Sequence, residues 1–238
     1  INMRHNQNTI NKQVDITMPE LLFSVNRFFP FKNSLKKTWY KNLGISYSLS
    51  GKNTLSAPDS LIFNKTNQNI RNGIKHSIPI STSFNLFKYV NINPAIQYTE
   101  RWYFNKQEKN WDPNSQLINT DTLGGFWALR EFKLSTQINT KIYGSFATKN
   151  KQFRHVLTPS LTYTYKPDFS NEKFGIYSEL ETDDETETYS YFQGGIYGVP
   201  SAIKQNLLNI NLNNNLEMKI NQNGEEKKIK IIENFSVN

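Results

Sequence analysis

The stretch FRHVLTPSLTYTYKPDFS, residues 153–170, decides the fold of this chain. Between Leu157 and Tyr165 every second side chain is apolar, aromatic or proline. The side chains between them are hydroxylated, namely Thr158, Ser160, Thr162 and Thr164. Because successive side chains of a strand point to opposite faces, this alternation predicts a β-strand with one apolar face and one uncharged polar face.

The composition narrows the class of protein. The chain has 238 residues and no cysteine, so it offers neither a disulfide framework nor a thiolate metal site. Hydrophobic residues make up 37%, below the ~45–50% of a typical soluble domain. No apolar run of about 18 residues occurs, which excludes a membrane-spanning helix but not a membrane barrel. The net charge of +8 suits nucleic acid, anionic lipid or lipopolysaccharide phosphates equally well.

Strand-like alternation recurs in about eight segments, which are residues 13–25, 43–50, 73–86, 90–104, 124–146, 157–165, 208–220 and 229–237. Long polar connections, predicted at 51–72, 105–122 and 166–190, alternate with short ones. Outer-membrane barrels have short periplasmic turns and long external loops. The sequence therefore predicts an all-β fold, an antiparallel transmembrane β-barrel built as a meander and excerpted from a larger barrel. A soluble multi-stranded barrel or sandwich stays open as the alternative.

Two features of the strands are candidates for function. The segment 208–220 carries a second uncharged polar row, Asn209, Asn211, Asn213 and Asn215, which we group with the hydroxyl row of 157–165 as a candidate lumen wall. Four prolines fall inside predicted strands, at Pro19, Pro79, Pro94 and Pro159. A proline removes a donor from the hydrogen-bond ladder, so each is a candidate bulge or weak seam. At Pro159 we expect a bulge or a missing ladder bond.

No catalytic, cofactor or metal site is expected from the residue types present. The three histidines, His5, His76 and His155, are far apart and lack a carboxylate at ligand spacing. Ser160 and His155 are five residues apart on a strand and face opposite sides, so they do not form a nucleophile and base. We therefore expect no enzyme.

Acidic and aromatic clusters have structural explanations. An acidic run lies in the third long loop, namely Glu179, Glu181, Asp183, Asp184, Glu185 and Glu187. It is typical of a solvated loop, and cation bridging to sugar phosphates is the alternative. Aromatic clusters are present at 28–29, 39–40, 102–104 and 126–127. They are typical of the aromatic girdles that lie at a membrane interface. Basic residues do not alternate with these aromatic residues as they do in nucleic-acid-binding proteins, so no nucleic-acid partner is expected.

Several segments resemble a known family. These are RHNQNTINKQVDITMPELLFSVNRFFPFK near the start, ISTSFNLFKYVNINPAIQYTERWYF in the centre, RHVLTPSLTYTYKPDFS with FGIYSEL, and YFQGGIYGVPSAIKQNLLNINLNNNLEMKI. Together they resemble the barrel region of the lipopolysaccharide-assembly outer-membrane protein family LptD, also called OstA, in its Bacteroidetes-type form. The resemblance implies a large barrel plugged by an LptE-like lipoprotein, joined to a periplasmic Lpt bridge, and residing in the outer membrane.

Residues 1–238 are then part of one outer-membrane β-barrel domain, with no jellyroll domain or signal peptide recognisable in the segment. The resemblance implies transport of lipopolysaccharide to the outer leaflet without chemistry, in contact with outer-membrane lipids. Two other functions stay open. One is a passive porin or receptor-type barrel for small solutes, and the other is a soluble carbohydrate-binding β-protein.

Overall fold

The computed structural model describes residues 1–35, 38–62, 69–149, 151–183, 185–222 and 225–237, and within these ranges the chain is built of strands. The strands are β1 (Asn2–Asn8), β2 (Gln13–Phe28), β3 (Gly44–Pro58), β4 (Asn69–Ser81), β5 (Phe84–Leu86), β6 (Val90–Asp112), β7 (Leu117–Thr140), β8 (Ile142–Ala147), β9 (Lys151–Lys166), β10 (Tyr177–Glu181), β11 (Thr186–Ser190), β12 (Gln205–Gln222) and β13 (Glu225–Val237). Short 3₁₀ helices at Trp39–Asn42, Asp59–Leu61 and Glu172–Phe174 lie in the connections.

One large antiparallel sheet has the order β1-β2-β3-β4-β6-β7-β9-β12-β13, and β10 pairs with β11 in a separate hairpin. β4 and β5 pair one after the other with the same edge of β6, and β7 and β8 pair one after the other with the same edge of β9. The predicted all-β antiparallel meander is thus confirmed. β1 and β13 are the two edges of this order, so the described strands do not close into a barrel among themselves.

The prolines act on the ladder in two ways. At Met18–Pro19 the register of β2 shifts by one residue against both β1 and β3, which is a bulge. Pro79, Pro94 and Pro159 are not bulges, because the register is the same on both sides of each. The expectation of a bulge is therefore corrected at those three positions, and the expectation of a weak seam is not.

Each of these three prolines instead interrupts the ladder on one side only, where its missing N–H would have donated. Beside Pro94, pairing stops at Ser81↔Ala95 and resumes at Phe84↔Ile92, which divides β4 from β5. The Pro94 carbonyl still accepts from the Thr82 N–H at 3.1 Å. Interruptions of the same kind lie beside Pro159, between β7 and β8, and beside Pro79, on the β3 side.

Two predicted loops are wrong. β3 continues to Pro58 and β4 begins at Asn69, so most of 51–72 outside the undescribed residues 63–68 is strand. β6 and β7 pair through most of 105–122 and leave a turn of only 113–116. Polar residues were interpreted as loop because they lack an apolar face, but the backbone ladder forms whatever the polarity of the side chains. The Asp112 carboxylate closes this turn by accepting from the Asn114 N–H at 3.0 Å and the Ser115 hydroxyl at 2.7 Å.

Residues 167–204 form a folded excursion between β9 and β12, which we name the cap. The prediction of a long loop at 166–190 missed its β10–β11 hairpin. Phe169, Ile176 and Phe192 of the cap are buried against Tyr103 of β6 and Leu129 of β7. The cap therefore packs on the sheet near one end, the cap end. The β5–β6 turn at 87–89 lies at the opposite end, the turn end, where β8 ends and β9 begins and where β12 ends and β13 begins.

Candidate functional site

The eight candidate lumen-wall side chains lie on one face of the sheet, which we name the polar face. Six of them form three directly opposed pairs, Thr162↔Asn209, Ser160↔Asn211 and Thr158↔Asn213. The other two face single apolar side chains, with Thr164 opposite Leu207 and Asn215 opposite Val156. Antiparallel pairing thus brings together two rows separated by about fifty residues of sequence. Whether they line a lumen stays a prediction.

The polar face is wider than the sequence alone indicated. It continues over neighbouring strands through Ser135, Gln137 and Asn139 of β7, Asn91, Asn93 and Gln97 of β6, Ser77 and Ser81 of β4, and Ser46, Ser48 and Ser50 of β3. Side chains on it bond to one another, as Gln97 donates to the Ser77 hydroxyl at 2.9 Å and Asn91 donates to the Asn139 amide oxygen at 3.1 Å. The sequence alternation identifies the polar residues of each strand separately. Only the pairing register between strands shows that these residues lie on the same face of the sheet.

The opposite face, the apolar face, presents large hydrophobic side chains that no other part of the described chain covers. Leu208 and Ile210 of β12 are 59% and 64% exposed. Phe23, Leu134 and Tyr163 on three other strands are also exposed. An exposed apolar surface of several strands' width is uncommon in a soluble monomer and indicates contact with lipid or another apolar partner.

The strands share a band that contains no Asp, Glu, Lys or Arg. It comprises residues 44–51, 76–81, 90–99, 134–140, 155–165 and 205–216. The registers align these segments, since Asn93, Gln137, Thr162 and Asn209 form one row in which each side chain is directly opposite the next. We name this region the charge-free band. Charged residues flank it on both sides, for example Arg154 and Lys166 on β9.

The cap covers the polar face beyond the band. The Tyr103 hydroxyl donates to the Gly198 carbonyl at 2.8 Å and accepts from the Tyr197 N–H at 3.0 Å. The Tyr197 hydroxyl lies 2.9 Å from the Ser50 hydroxyl, and the Arg101 guanidinium donates to the Tyr197 carbonyl at 3.1 Å. Burial raises the pKa of the Tyr197 phenol. Contacts to β3 and β6 thus fix the cap across several strands.

Two ion pairs lie at the cap end. The Arg101 guanidinium lies 2.9 Å from the Glu131 carboxylate, and the Lys52 ammonium lies 3.0 Å from the Glu20 carboxylate. Both carboxylates have low side-chain exposure, 21% for Glu131 and 9% for Glu20. Each of these two ion pairs joins neighbouring strands, and Lys75 of β4 is directly opposite Arg101 at the same end.

Strand alternation divides the aromatic clusters between the two faces. Tyr103 and Trp127 are opposite each other on the polar face and belong to the core under the cap. Trp102 and Phe104 instead contact Phe126, with ring centroids 5.5 and 6.0 Å apart. Of these two groups, Trp102, Phe104 and Phe126 lie on the apolar face, where an aromatic girdle would contact lipid. Their role at a membrane interface stays a prediction.

The histidines and the acidic run lie apart from the polar wall. The His76 ring is hydrogen-bonded to the Tyr47 hydroxyl at 2.8 Å, and its centroid lies 4.2 Å from the centroid of the Trp102 ring. His155 is directly opposite Leu216. The acidic residues lie along the β10–β11 hairpin of the cap, except that Asp184 is outside the described residues. In the described part of the chain, no group of three or more His, Cys, Asp or Glu side chains is placed to hold a metal ion.

Comparison with known proteins gives one match. A family model described as LptD protein matches residues 1–238. No curated protein and no solved structure matches the chain. Among the described residues, no helix has the length and hydrophobicity needed to cross a membrane. Because the family model covers residues 1–238 throughout, the chain belongs to the LptD protein family, whose members are outer-membrane components of lipopolysaccharide transport and assembly.

Proposed function

We propose that residues 1–238 form part of the wall of a transmembrane β-barrel that passes lipopolysaccharide to the outer leaflet without covalent chemistry. The observation that carries this proposal is the charge-free band. A transmembrane strand needs roughly 9–11 residues to cross the hydrocarbon core. The band has this length on β6, β9 and β12, at residues 90–99, 155–165 and 205–216, and it is shorter on β3, β4 and β7.

The two faces of the band support an assignment to lipid and lumen. A Lys or Arg on the lipid face at the bilayer midplane costs about 2–4 kcal/mol, so a lipid-facing band must exclude charge. The apolar face, with exposed Leu208 and Ile210, would contact lipid. The polar face would line the lumen, where neutral hydroxyl and amide groups exchange hydrogen bonds with sugars without holding a phosphate tightly.

The cap and the turns support an orientation. Outer-membrane barrels keep their short turns in the periplasm, so the turn end would be periplasmic and the cap external. The cap would then cover part of the lumen from outside. The open edges β1 and β13 would pair with further strands of a larger barrel. An LptE-like plug lipoprotein inside that barrel, a periplasmic Lpt bridge below it and a Bacteroidetes-type family form belong to the same proposal.

Depletion in cells tests the function. Removing this protein is expected to lower lipopolysaccharide at the cell surface and to accumulate it internally, and a plasmid copy should restore both. The double variant T162D/N209D places two carboxylates opposite each other on the polar face, where they would repel lipopolysaccharide phosphates. We expect it to reach the outer membrane in normal amount yet fail to restore surface lipopolysaccharide. T120D, in the β6–β7 hairpin outside the band, is the control.

Two rival functions give different results in the same cells. A passive porin or receptor barrel would change solute uptake on depletion and leave surface lipopolysaccharide unchanged. A soluble carbohydrate-binding protein would fractionate without the membrane. Either outcome would overturn the proposal.

A further inference from the structure

The sheet divides at the cap end, between β4 and β6. Pairing between these two strands ends at Ile74↔Trp102, although both strands continue toward the cap. Beyond this point, residues 69–73 of β4 pair with β3, and residues 103–112 of β6 pair with β7, but β4 and β6 no longer pair with each other. We name the gap between them the fork. The wall formed by these strands is therefore interrupted at this place.

A bulge in β7 explains the position of the fork. The register of β6 against β7 shifts by one residue between Tyr103↔Trp127 and Asn105↔Gly124. The extra residue is on β7, where the sequence has two consecutive glycines at 124–125. A bulge bends its strand and increases the local twist, and glycine is common where a strand bends. Because β6 stays paired with β7 through this bend, it stops pairing with β4 at the same level.

The cap closes the base of the fork at two glycines. A Cβ at Gly73 of β4 would lie 3.1 Å from the Ile196 side chain of the cap and 3.2 Å from the Tyr103 ring of β6. A Cβ at Gly195 of the cap would lie 2.7 Å from the same ring. Glycine at both positions therefore allows the cap, β4 and β6 to come into close contact.

Beside this contact the fork contains a cavity of about 240 Å³, which we name the fork pocket. Its lining includes residues 70–72 of β4, Asn105 and Gln107 of β6, and residues 191–196 of the cap. The Gln107 N–H donates to the Tyr191 carbonyl at 2.7 Å and so holds the cap against β6. Pockets for drug-sized ligands have volumes of roughly 300–1,000 Å³. The fork pocket therefore suits a smaller group, such as one sugar ring.

The lining combines neutral amides with aromatic rings. Asn105, Gln107 and Gln193 supply the amides, and Tyr191 and Phe192 supply rings. No hydrogen bond joins the side-chain amide of Asn105 or Gln107 to another described residue. None of the described lining residues is Asp or Glu. Amide side chains both donate and accept, as sugar hydroxyls do, and aromatic rings supply apolar surface for the C–H groups of the sugar.

Backbone groups add to these donors and acceptors. Between residues 69 and 73, the edge of β4 that faces the fork has no strand beside it, and no backbone–backbone hydrogen bond joins it to the described part of the cap. A strand edge presents a row of N–H and C=O groups that form hydrogen bonds with any suitable partner. A ligand with several hydroxyl groups can pair with this edge and with the Asn105 and Gln107 amides together.

We propose that the fork pocket binds one sugar residue of a glycan chain, at the end of the polar face that lies under the cap. This inference rests on the proposed function, because the glycan is that of the lipopolysaccharide that the polar face would conduct. The sugar is recognised through its hydroxyl groups. The phosphates of the lipid are not part of the site.

Binding by the full-length protein in detergent micelles, measured by isothermal titration calorimetry, tests the site. The probes are the sugar chain released from lipopolysaccharide by mild acid, and lipid A, the phosphorylated lipid that remains. N105A/Q107A removes two side-chain amides and keeps the backbone bond from Gln107 to the cap. N105W fills the pocket. The controls are N110A/N119A and N110W, because Asn110 and Asn119 are directly opposite each other on the same hairpin and do not line the pocket.

Wild type and both controls are expected to bind the sugar chain with equal affinity. N105A/Q107A and N105W should bind it roughly tenfold or more weakly, as expected for the loss of two hydrogen bonds or of the space for the sugar. Lipid A should bind equally to all five proteins. Equal binding of the sugar chain by pocket variants and controls would overturn the site. Weaker binding confined to lipid A would also overturn it and would indicate a phosphate site instead.

Hydrogen exchange locates the bound sugar within the protein. The sugar chain should slow amide exchange in residues 69–73 and 103–107 of wild type and N110W, because ligand bonds protect backbone N–H groups from opening. It should not do so in N105W. Unchanged exchange in 69–73 of the saturated wild type would contradict the proposal. If the site fails while depletion still lowers surface lipopolysaccharide, the proposed function stands without it.

Discussion

A lysine placed at Ile210 should distinguish the lipid-facing from the lumen-facing side of the band. Ile210 lies in the middle of residues 205–216 and is 64% exposed, so its replacement removes little packing within the chain. Its neighbour Asn209 is on the polar face, opposite Thr162. I210K and N209K therefore add the same charge at the same depth, on opposite faces.

The expected difference follows from the position. A lysine on the lipid face at the midplane costs about 2–4 kcal/mol, whereas lumen-facing charges cost far less. Since about 1.4 kcal/mol is a factor of ten, the equilibrium constant for unfolding should rise roughly 30- to 900-fold in I210K relative to N209K. The leucine or isoleucine side chains beside Ile210 offer no partner for an ammonium group.

Denaturant titration of the full-length protein refolded into phospholipid vesicles measures this difference. Each variant is compared with wild type by its unfolding midpoint and slope, so that a change in slope is separated from a change in stability. Equal loss in I210K and N209K, or greater loss in N209K, would refute the assignment of the two faces. If neither I210K nor N209K changed the stability, the proposal that these strands cross a membrane would be refuted.

Three further predictions concern the cap. Tyr103→Phe removes two part-buried hydrogen bonds, one to the Gly198 carbonyl and one from the Tyr197 N–H, so we expect it to destabilise the cap by roughly 0.5–1.5 kcal/mol per bond, measured as faster hydrogen exchange of the Tyr197 amide. A Cβ at Gly195 would lie 2.7 Å from the Tyr103 ring, whereas nothing lies within 4 Å of one at Gly124; G195A should therefore expose the cap to protease and G124A should not. Hydrogen bonds from the Ser170 N–H and hydroxyl lower the pKa of the Asp168 carboxyl, so its stabilisation is present above the unfolded pKa of ~3.9 and is lost as pH falls through the folded value. Protease protection of the cap should decline below about pH 4 in wild type. D168N lacks the carboxylate at every pH, so it should show weaker protection than wild type at neutral pH and no such decline.

Alternation and turn spacing were enough to predict the strand directions and most of their positions. β9 and β12 were predicted in the segments where the structure has them, because one parity is apolar and the other is not, and only a strand separates the two sets. The strand β1 was not predicted, since residues 2–8 are polar on both parities.

The errors share one physical cause. Polarity was interpreted as loop at 105–122, but backbone pairing does not require an apolar face, and the cap contacts this hairpin through the hydrogen bond from the Gln107 N–H to the Tyr191 carbonyl at 2.7 Å. The prolines at 79, 94 and 159 were expected to be bulges or weak seams, with a bulge or a missing ladder bond at Pro159. The register does not change at any of the three, so they are not bulges. Each interrupts one neighbouring ladder, as a missing donor does, while the other ladder remains regular.

The sequence by itself determined which side chains of each strand are polar and which are apolar. It also determined that the middle of these strands carries no charged residue. Parity is a local property, fixed by the geometry of a single strand. Only the tertiary structure decided that these local rows align into one neutral wall, that the cap covers its far end, and that β4 and β6 separate beneath the cap. Those relations depend on register between strands up to tens of residues apart, and a one-residue change in register would move every row to the other face.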